Sequence, residues 1–189
     1  MKLLEDRILS DGKVLPGGIL KVDNFLNHQI DTALLYEMAQ ELHRLFGDEG
    51  ITKVLTIEAS GIAIAAVTGY VFGCPLVFAK KSKTKNISDN VYSAQVESFT
   101  HGNTNTVLVS KDYLSSGDRV LIVDDFLATG AALVGLKSLC EQAGATVVGA
   151  GIAIEKVFQG GGDALRAQGL RVESLARIAS MSDDSLVFC

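Results

Sequence analysis

Apolar and polar positions alternate along this chain in blocks of strand and helix length. Lys53 to Ile57 is a short β-branched run and predicts a strand. The loop Glu58-Ala59-Ser60-Gly61 follows, then an apolar stretch of helical length, Ile62 to Phe72. Gly73-Cys74-Pro75 breaks that stretch before a second strand, Leu76 to Ala79. Upstream, Leu35, Met38, Leu42, Leu45 and Phe46 recur at three- and four-residue spacing, which predicts a helix capped by Asp31 and ended by Gly47. Val91 to Phe99 and Thr106 to Lys111 alternate as an antiparallel pair joined by the turn His101-Gly102-Asn103. Arg119 to Val123 predicts another strand. Thr129 to Ala143 predicts a helix with Leu133, Leu136, Leu139 and Cys140 on one face and Gly144 as its stop. Thr146 to Ile154 is uncharged and β-branched, as expected of a strand buried on both faces. Gln159 to Asp163 predicts a loop, followed by a short helix to Gln168 and a last strand, Leu170 to Leu175. Residues 3–26 carry no clean period and read as short strands and loops.

Strands alternating with helices imply an α/β fold with a mostly parallel central sheet, flanked by helices, and ligands at the carboxyl ends of the strands. No repeat or linker interrupts the chain, so residues 1–189 read as one domain with a small N-terminal subdomain. The stretch from Gly61 to Ala79 is uncharged and nominally long enough to cross a bilayer, but Gly69, Gly73 and Pro75 divide it. It reads as a buried βαβ piece, with no membrane span.

Composition narrows the classes. The 189 residues are 48% hydrophobic and 21% charged, which argues against disorder. A net charge of −5 carries no nucleic-acid footprint. Cys74, Cys140 and Cys189 are odd in number and fit no metal spacing, and Met1 to Arg7 has no apolar signal region, so a cytoplasmic location is expected. His28, His43 and His101 form no zinc or nucleophile pattern.

Candidate chemistry gathers where strands end. Val120 to Ala132 runs from four apolar residues into Asp124-Asp125, then a small-residue loop and a helix start. Backbone N–H groups at a helix N-terminus can wrap a phosphate, and paired carboxylates just before it can hold sugar hydroxyls or a metal. Asp-Asp alone is ordinary at a strand end; its union with Thr129-Gly130-Ala131 points to a phosphate site. Ala59, Ser60 and Gly61 can present N–H groups to a second anion. Lys80 and Lys81 open a run of four lysines within six residues that can neutralise such an anion and close over it. Lys156 can donate to a base carbonyl while Phe158 stacks on the ring.

The segment from Val120 to Ala132 resembles the phosphoribosyl-pyrophosphate (PRPP) motif of the type I phosphoribosyltransferases. The segments Leu20 to Asp31, Thr56 to Ala63 and Gly151 to Phe158 resemble those of bacterial xanthine phosphoribosyltransferases of Gram-positive organisms. The resemblance covers nearly the whole chain. It implies the type I phosphoribosyltransferase fold, with a hood built from about residues 1–30 and C-terminal contributions. It also implies transfer of a phosphoribosyl group from PRPP to xanthine in purine salvage, with release of pyrophosphate. By that resemblance Leu20, Asn27 and Lys156 contact xanthine and Phe158 stacks on it. Ala128, Thr129, Gly130, Ala131 and Ala132 hold the 5′-phosphate, and Asp124 and Asp125 the ribose. Ala59, Ser60, Gly61, Lys80 and Lys81 are expected at the pyrophosphate. Mg²⁺ is expected to be held mainly by the substrate, and the assembly to be a homodimer. Two rivals stand beside this reading: the same reaction on adenine, guanine or hypoxanthine, and a PRPP-sensing regulator, for which no basic DNA-binding segment precedes the motif.

Overall fold

The computed structural model describes residues 1–81, 90–97 and 104–189. A six-stranded sheet organises them, in the order β10-β9-β8-β7-β3-β4. Its strands are β3 (Lys53–Ile57), β4 (Leu76–Ala79), β7 (Arg119–Leu127), β8 (Thr146–Lys156), β9 (Val172–Met181) and β10 (Leu186–Phe188). All neighbours pair in parallel except the edge strand β10, which runs antiparallel to β9.

Side chains alternate across this sheet and feed two cores. Leu121 and Val123 of β7 join a cluster with Leu35, Met38, Leu42 and Phe46 of helix α2 (Thr32–Phe46) and Ile64 of helix α3 (Gly61–Phe72). Val120 and Ile122 of the same strand join Leu133, Leu136, Leu139 and Cys140 of helix α4 (Ala131–Ala143) on the other face. The period of two along β7 thus places helices on both sides of the sheet. The ribbon of β5 (Val91–Glu97) and β6 (Thr104–Ser110) packs on the α4 side, where Val96, Val107 and Val109 are buried. The expected turn at His101-Gly102-Asn103 lies outside the described residues.

Several expectations are corrected. Residues 3–26 were expected to hold only short strands and loops. Lys2–Asp11 forms helix α1 instead, followed by the hairpin of β1 (Lys13–Leu15) and β2 (Ile19–Lys21) and a π-type turn over Asp23–Asn27. Only Leu4 and Ile8 of α1 are buried while Leu3 and Leu9 face solvent, so its apolar stripe is too narrow to stand out. The N-terminal ammonium donates to the Leu175 carbonyl and pins α1 to β9. Gly47 does cap the end of α2 as expected, but in a right-handed conformation; a 3-10 turn follows, and Gly50 takes the left-handed one (φ 64°).

The motif strand was expected to stop at Val123, but β7 continues through Asp124-Asp125 to Leu127. Parallel pairing with β8 carries it on, through Asp124–Ile152, Phe126–Ile154 and Leu127–Glu155. Helix α4 starts at Ala131 and not at Thr129, because Gly130 is left-handed (φ 88°). Strand β8 runs two residues past Ile154. Helix α5 (Gly161–Ala167) begins inside the stretch expected to be a loop. The strand expected to close the sheet at Leu175 extends to Met181 because Ala176 and Ile178 stay buried, and β10 adds to it.

Residues near the N-terminus pack against these C-terminal strands. Leu4, Ile8, Leu20, Phe25 and Leu26 share a core with Leu175 and Ile178, and Met181, Leu186 and Phe188 lie against it. Phe46 closes the other end of that core, fully buried, with the Arg171 guanidinium 4.3 Å from its ring centroid. Phe46→Ala should therefore destabilise the protein by about 3–5 kcal/mol in urea unfolding. A loss below about 1 kcal/mol would mean that the end of α2 is not part of the load on this core.

Candidate active site

One cleft of about 600 Å³ opens at the carboxyl ends of β3, β7 and β8. From β3 come Ile57 and the loop Glu58-Ala59-Ser60-Gly61. From β7 come Asp124 to Leu127, and then Ala128, Thr129, Gly130, Ala131 and Ala132. Strand β8 supplies Lys156, and Lys81 stands just beyond β4. The hairpin turn Gly17-Gly18 with Leu20 closes one side, and Val96, Asn105 and Val107 of the β5–β6 ribbon close another. This is the crevice that an open parallel sheet leaves beyond its carboxyl ends.

Asp124 is the most constrained group in it. Its side chain is buried, and Oδ1 accepts the Asp125 N–H at 3.0 Å. Burial pushes the Asp124 carboxyl well above the usual carboxylate range, and the neighbouring charge of Asp125 adds to the rise. Asp125 is half-buried, and burial raises its carboxyl too. Lys81 is the cation that opposes both rises, from the rim. The amino end of the same strand region is built differently. There Asp118 receives the Lys53 ammonium at 3.0 Å and the Ser115 N–H at 2.8 Å. Burial alone would raise its carboxyl, but these donors hold it below the ordinary value.

Gly61 lets the first loop come close to the aspartates. A Cβ there would lie 2.2 Å from Thr56 Oγ1 and 2.7 Å from Asp124 Oδ1. The Thr56 hydroxyl is buried and has no partner among the described residues. At the next loop, the left-handed Gly130 turns the chain into α4 with no side-chain cap. The first intrahelical donor is Val134 N–H, which bonds the Gly130 carbonyl at 3.0 Å. The N–H groups of Ala131, Ala132 and Leu133 are the orphans that every helix start leaves, and these three residues line the cleft. The helix dipole adds positive potential, so the geometry suits a phosphate.

Lys156 is half-buried, and burial pulls its ammonium below the usual value. Its Nζ donates to the Gly18 carbonyl at 2.8 Å and lies 5.5 Å from the centroid of Phe126. One lysine thus reaches from the sheet edge to the N-terminal hairpin.

The expected residues separate into two groups. Ala59, Ser60, Gly61, Lys81, Asp124, Asp125, the loop 128–132, Lys156 and Leu20 all line the cleft. Lys80, Asn27 and Phe158 do not. The Lys80 ammonium lies 5.9 Å over the Phe78 ring, and its backbone pairs with Leu108. Asn27 ends the turn after β2, with Oδ1 buried and without a partner among the described residues. Phe158 sits in a 3-10 turn with 45% of its surface exposed. The remaining lysines of the run, Lys83 and Lys85, lie outside the described residues. Phe126 and Asn105 line the cleft and were not anticipated. Phe126 was hidden because the strand was stopped at its first charge; the apolar pair Phe126-Leu127 after the aspartates was the available signal.

The Asp124 carboxyl yields a prediction with a fixed sign. Its folded value is raised, so its contribution to stability is present below the ordinary carboxylate value and is lost as pH rises through the raised one. Asp124→Asn removes that loss. Near neutral pH the variant should melt above wild type, and the gap should close on acidification. Equal melting temperatures at both pH values would place Asp124 in an ordinary solvated setting.

Comparison with known proteins agrees with this geometry. The family model described as a phosphoribosyl transferase domain matches residues 21–161. A xanthine phosphoribosyltransferase of Finegoldia magna is 56% identical over 188 residues, covering 100% of this chain and 99% of the relative. One of Ligilactobacillus salivarius is 52% identical, covering 100% of this chain and 98% of the relative. Among solved structures, the APRTase of Giardia lamblia complexed with 9-deazaadenine superposes with a TM-score of 0.80. It is 24% identical, and the match covers 92% of this chain and 97% of that one. The adenine phosphoribosyltransferase of Rhodothermus marinus gives a TM-score of 0.77 at 24% identity, over 94% and 99% of the two chains. At that identity these structures speak to the fold alone.

Proposed function

The chain belongs to the phosphoribosyl transferase family, and from that premise we propose that it transfers the 5-phosphoribosyl group of PRPP to N9 of xanthine. The products are xanthosine 5′-monophosphate and pyrophosphate, which makes the reaction a purine salvage step. The observation that carries the reading is one cleft holding three things together. These are the raised carboxylates of Asp124 and Asp125, the free N–H groups at the start of α4, and the Lys156 ammonium.

The residues then take these roles. The N–H groups of the loop 128–132 and the start of α4 hold the 5′-phosphate. Asp124 and Asp125 accept from the ribose hydroxyls. Ala59, Ser60 and Gly61, with Lys81 at the rim, face the pyrophosphate. Lys156 donates to a xanthine carbonyl, and Leu20 with Phe126 forms the apolar wall against the ring. Phe126 takes the stacking place first expected of Phe158, since among the described residues it is the aromatic that lines the cleft. The N9–C1′ bond forms as the C1′–O bond breaks, and pyrophosphate leaves with the electron pair. The proton of N9 passes to solvent. No nucleophilic side chain is needed, so catalysis rests on position and on stabilising charge.

Mg²⁺ enters this scheme with PRPP. No group of three or more metal-ligating side chains occurs among the described residues. The two adjacent carboxylates, Asp124 buried and Asp125 half-buried, nonetheless suit a ligand that brings a cation, because a cation favours their charged form. Mg²⁺ bound with PRPP would neutralise the pyrophosphate as it leaves. The same reading includes a cytoplasmic homodimer. No described helix is long and apolar enough to cross a membrane.

Purified protein assayed with PRPP and Mg²⁺ against xanthine, guanine, hypoxanthine and adenine tests the assignment. Xanthine should show the highest kcat/KM, and preference for adenine would overturn the choice of base. Lys156→Ala should lower kcat/KM for xanthine by about 100-fold while KM for PRPP changes little. An equal rise in both KM values would remove Lys156 from base recognition.

A further inference from the structure

The triplet Gly160-Gly161-Gly162 is absorbed by none of the roles above, yet two of its members touch both halves of the site. Gly161 N–H donates to the Ala128 carbonyl at 3.1 Å. A Cβ on Gly161 would lie 2.3 Å from the Ala128 oxygen, 2.3 Å from the Thr129 carbonyl carbon and 2.6 Å from the Gly130 nitrogen. All three are backbone atoms, which cannot swing aside as a side-chain tip can. The contact is mutual: a Cβ on Gly130 would meet Leu165 Cδ1 of α5 at 3.1 Å and the Gly161 carbonyl oxygen at 3.4 Å. The start of α5 and the loop 128–132 are therefore packed backbone on backbone.

Gly162 faces the other way. A Cβ there would fall 1.9 Å from Glu155 Oε1 and 2.8 Å from Arg166 Nη1. Glu155 is fully buried on β8, directly before Lys156. Arg166 of α5 grips it with both arms of its guanidinium, at 2.8 Å to each oxygen. Arg177 of β9 approaches from the next strand, with Nε 3.3 Å from Oε2. Burial alone would raise the Glu155 carboxyl, but Arg166 above all, with the Ser174 side chain and then Arg177, holds it below the ordinary value. In the sheet register Glu155 lies between Leu127, which leads into the loop, and Arg177.

We propose that Gly161 and Gly162 form a brace that sets the phosphate loop and the base lysine in one fixed relation. Gly161 sets the height of the loop through direct backbone contact. Gly162 leaves room for the Glu155–Arg166 pair, which anchors the end of β8 from which Lys156 projects. Both glycines and Arg166 are positioning residues; none of them touches substrate. The proposal rests on the reading of the cleft as a PRPP and purine site.

Gly161→Ala tests it by calorimetric titration of PRPP with Mg²⁺, with circular dichroism and melting recorded beside it. The control is Gly169→Ala. Gly169 is left-handed (φ 85°), unlike Gly161, and nothing lies within 4 Å of its Cβ position, so the substitution strains the backbone without touching the loop. The brace predicts that Gly161→Ala weakens PRPP binding by about tenfold or more, since a displacement of an ångström or so at such a site is costly. Gly169→Ala should lower the melting temperature and leave PRPP affinity as in wild type. Equal PRPP affinity in Gly161→Ala and wild type would overturn the brace, and so would equal weakening in both variants.

Arg166→Lys supplies a second arm that a poorly folding Gly161→Ala cannot block. It keeps the charge and loses the two-armed grip. KM for xanthine should rise about tenfold in Arg166→Lys, and unchanged KM would overturn the proposal. Wild type separates the two levels: no PRPP binding there sinks the reading of the cleft. Binding by wild type with unmoved variants sinks the brace alone.

Discussion

Two adjacent carboxylates at the end of a buried strand are the constraint on which the rest of this molecule turns. The parallel sheet continues pairing through Asp124, so the fold pulls that side chain out of water. Its ionised form is left disfavoured in the free protein. Asp118, just before the same strand, shows that this chain can stabilise a carboxylate fully when it has a lysine and two serine donors to give it. At the other end it does not. On the proposed reading, the partners of Asp124 and Asp125 arrive with the ligand.

The proposed ligand is a polyanion with hydroxyls. An acidic protein cannot attract such a ligand by net charge, so it uses local devices. Backbone N–H groups at the start of α4 carry no counter-charge of their own and need no side chain. That explains why small residues suffice from Ala128 to Ala132. Lys81 supplies positive charge at the rim of the cleft, and Lys156 supplies it at the end of β8. Burial weakens the Lys156 charge, while the bond to the Gly18 carbonyl ties the lysine to the N-terminal hairpin. On the proposed reading, base recognition and the position of that hairpin share one side chain.

Much of this was legible in the residues, and the failures have physical reasons. Helix α2 carries a clean period, while β3, β4 and α3 are apolar runs bounded by loop residues, and the bounds of all four fall within a residue of expectation. The Asp-Asp and loop motif was legible because its chemistry is local. Helix α1 was not, because half of its apolar residues face solvent and its attachment to β9 is tertiary. The end of β7 was misjudged because a charge is a poor stop signal when a neighbouring strand continues to offer hydrogen bonds. Asn27 and Phe158 lie apart from the cleft, whereas Phe126, unremarkable in sequence, lines it. The role of the glycine triplet needed the fold, since its partners Ala128 and Glu155 are distant along the chain or hidden in a strand.

The most direct measurement is the titration of the Asp124 carboxyl carbon by ¹³C NMR, with and without PRPP and Mg²⁺. The account predicts a midpoint well above the ordinary carboxylate range in the free protein, and a clear fall when PRPP and Mg²⁺ bind. An ordinary midpoint in the free protein, or a raised one that PRPP leaves unmoved, would contradict the claim that this buried pair is completed by the substrate.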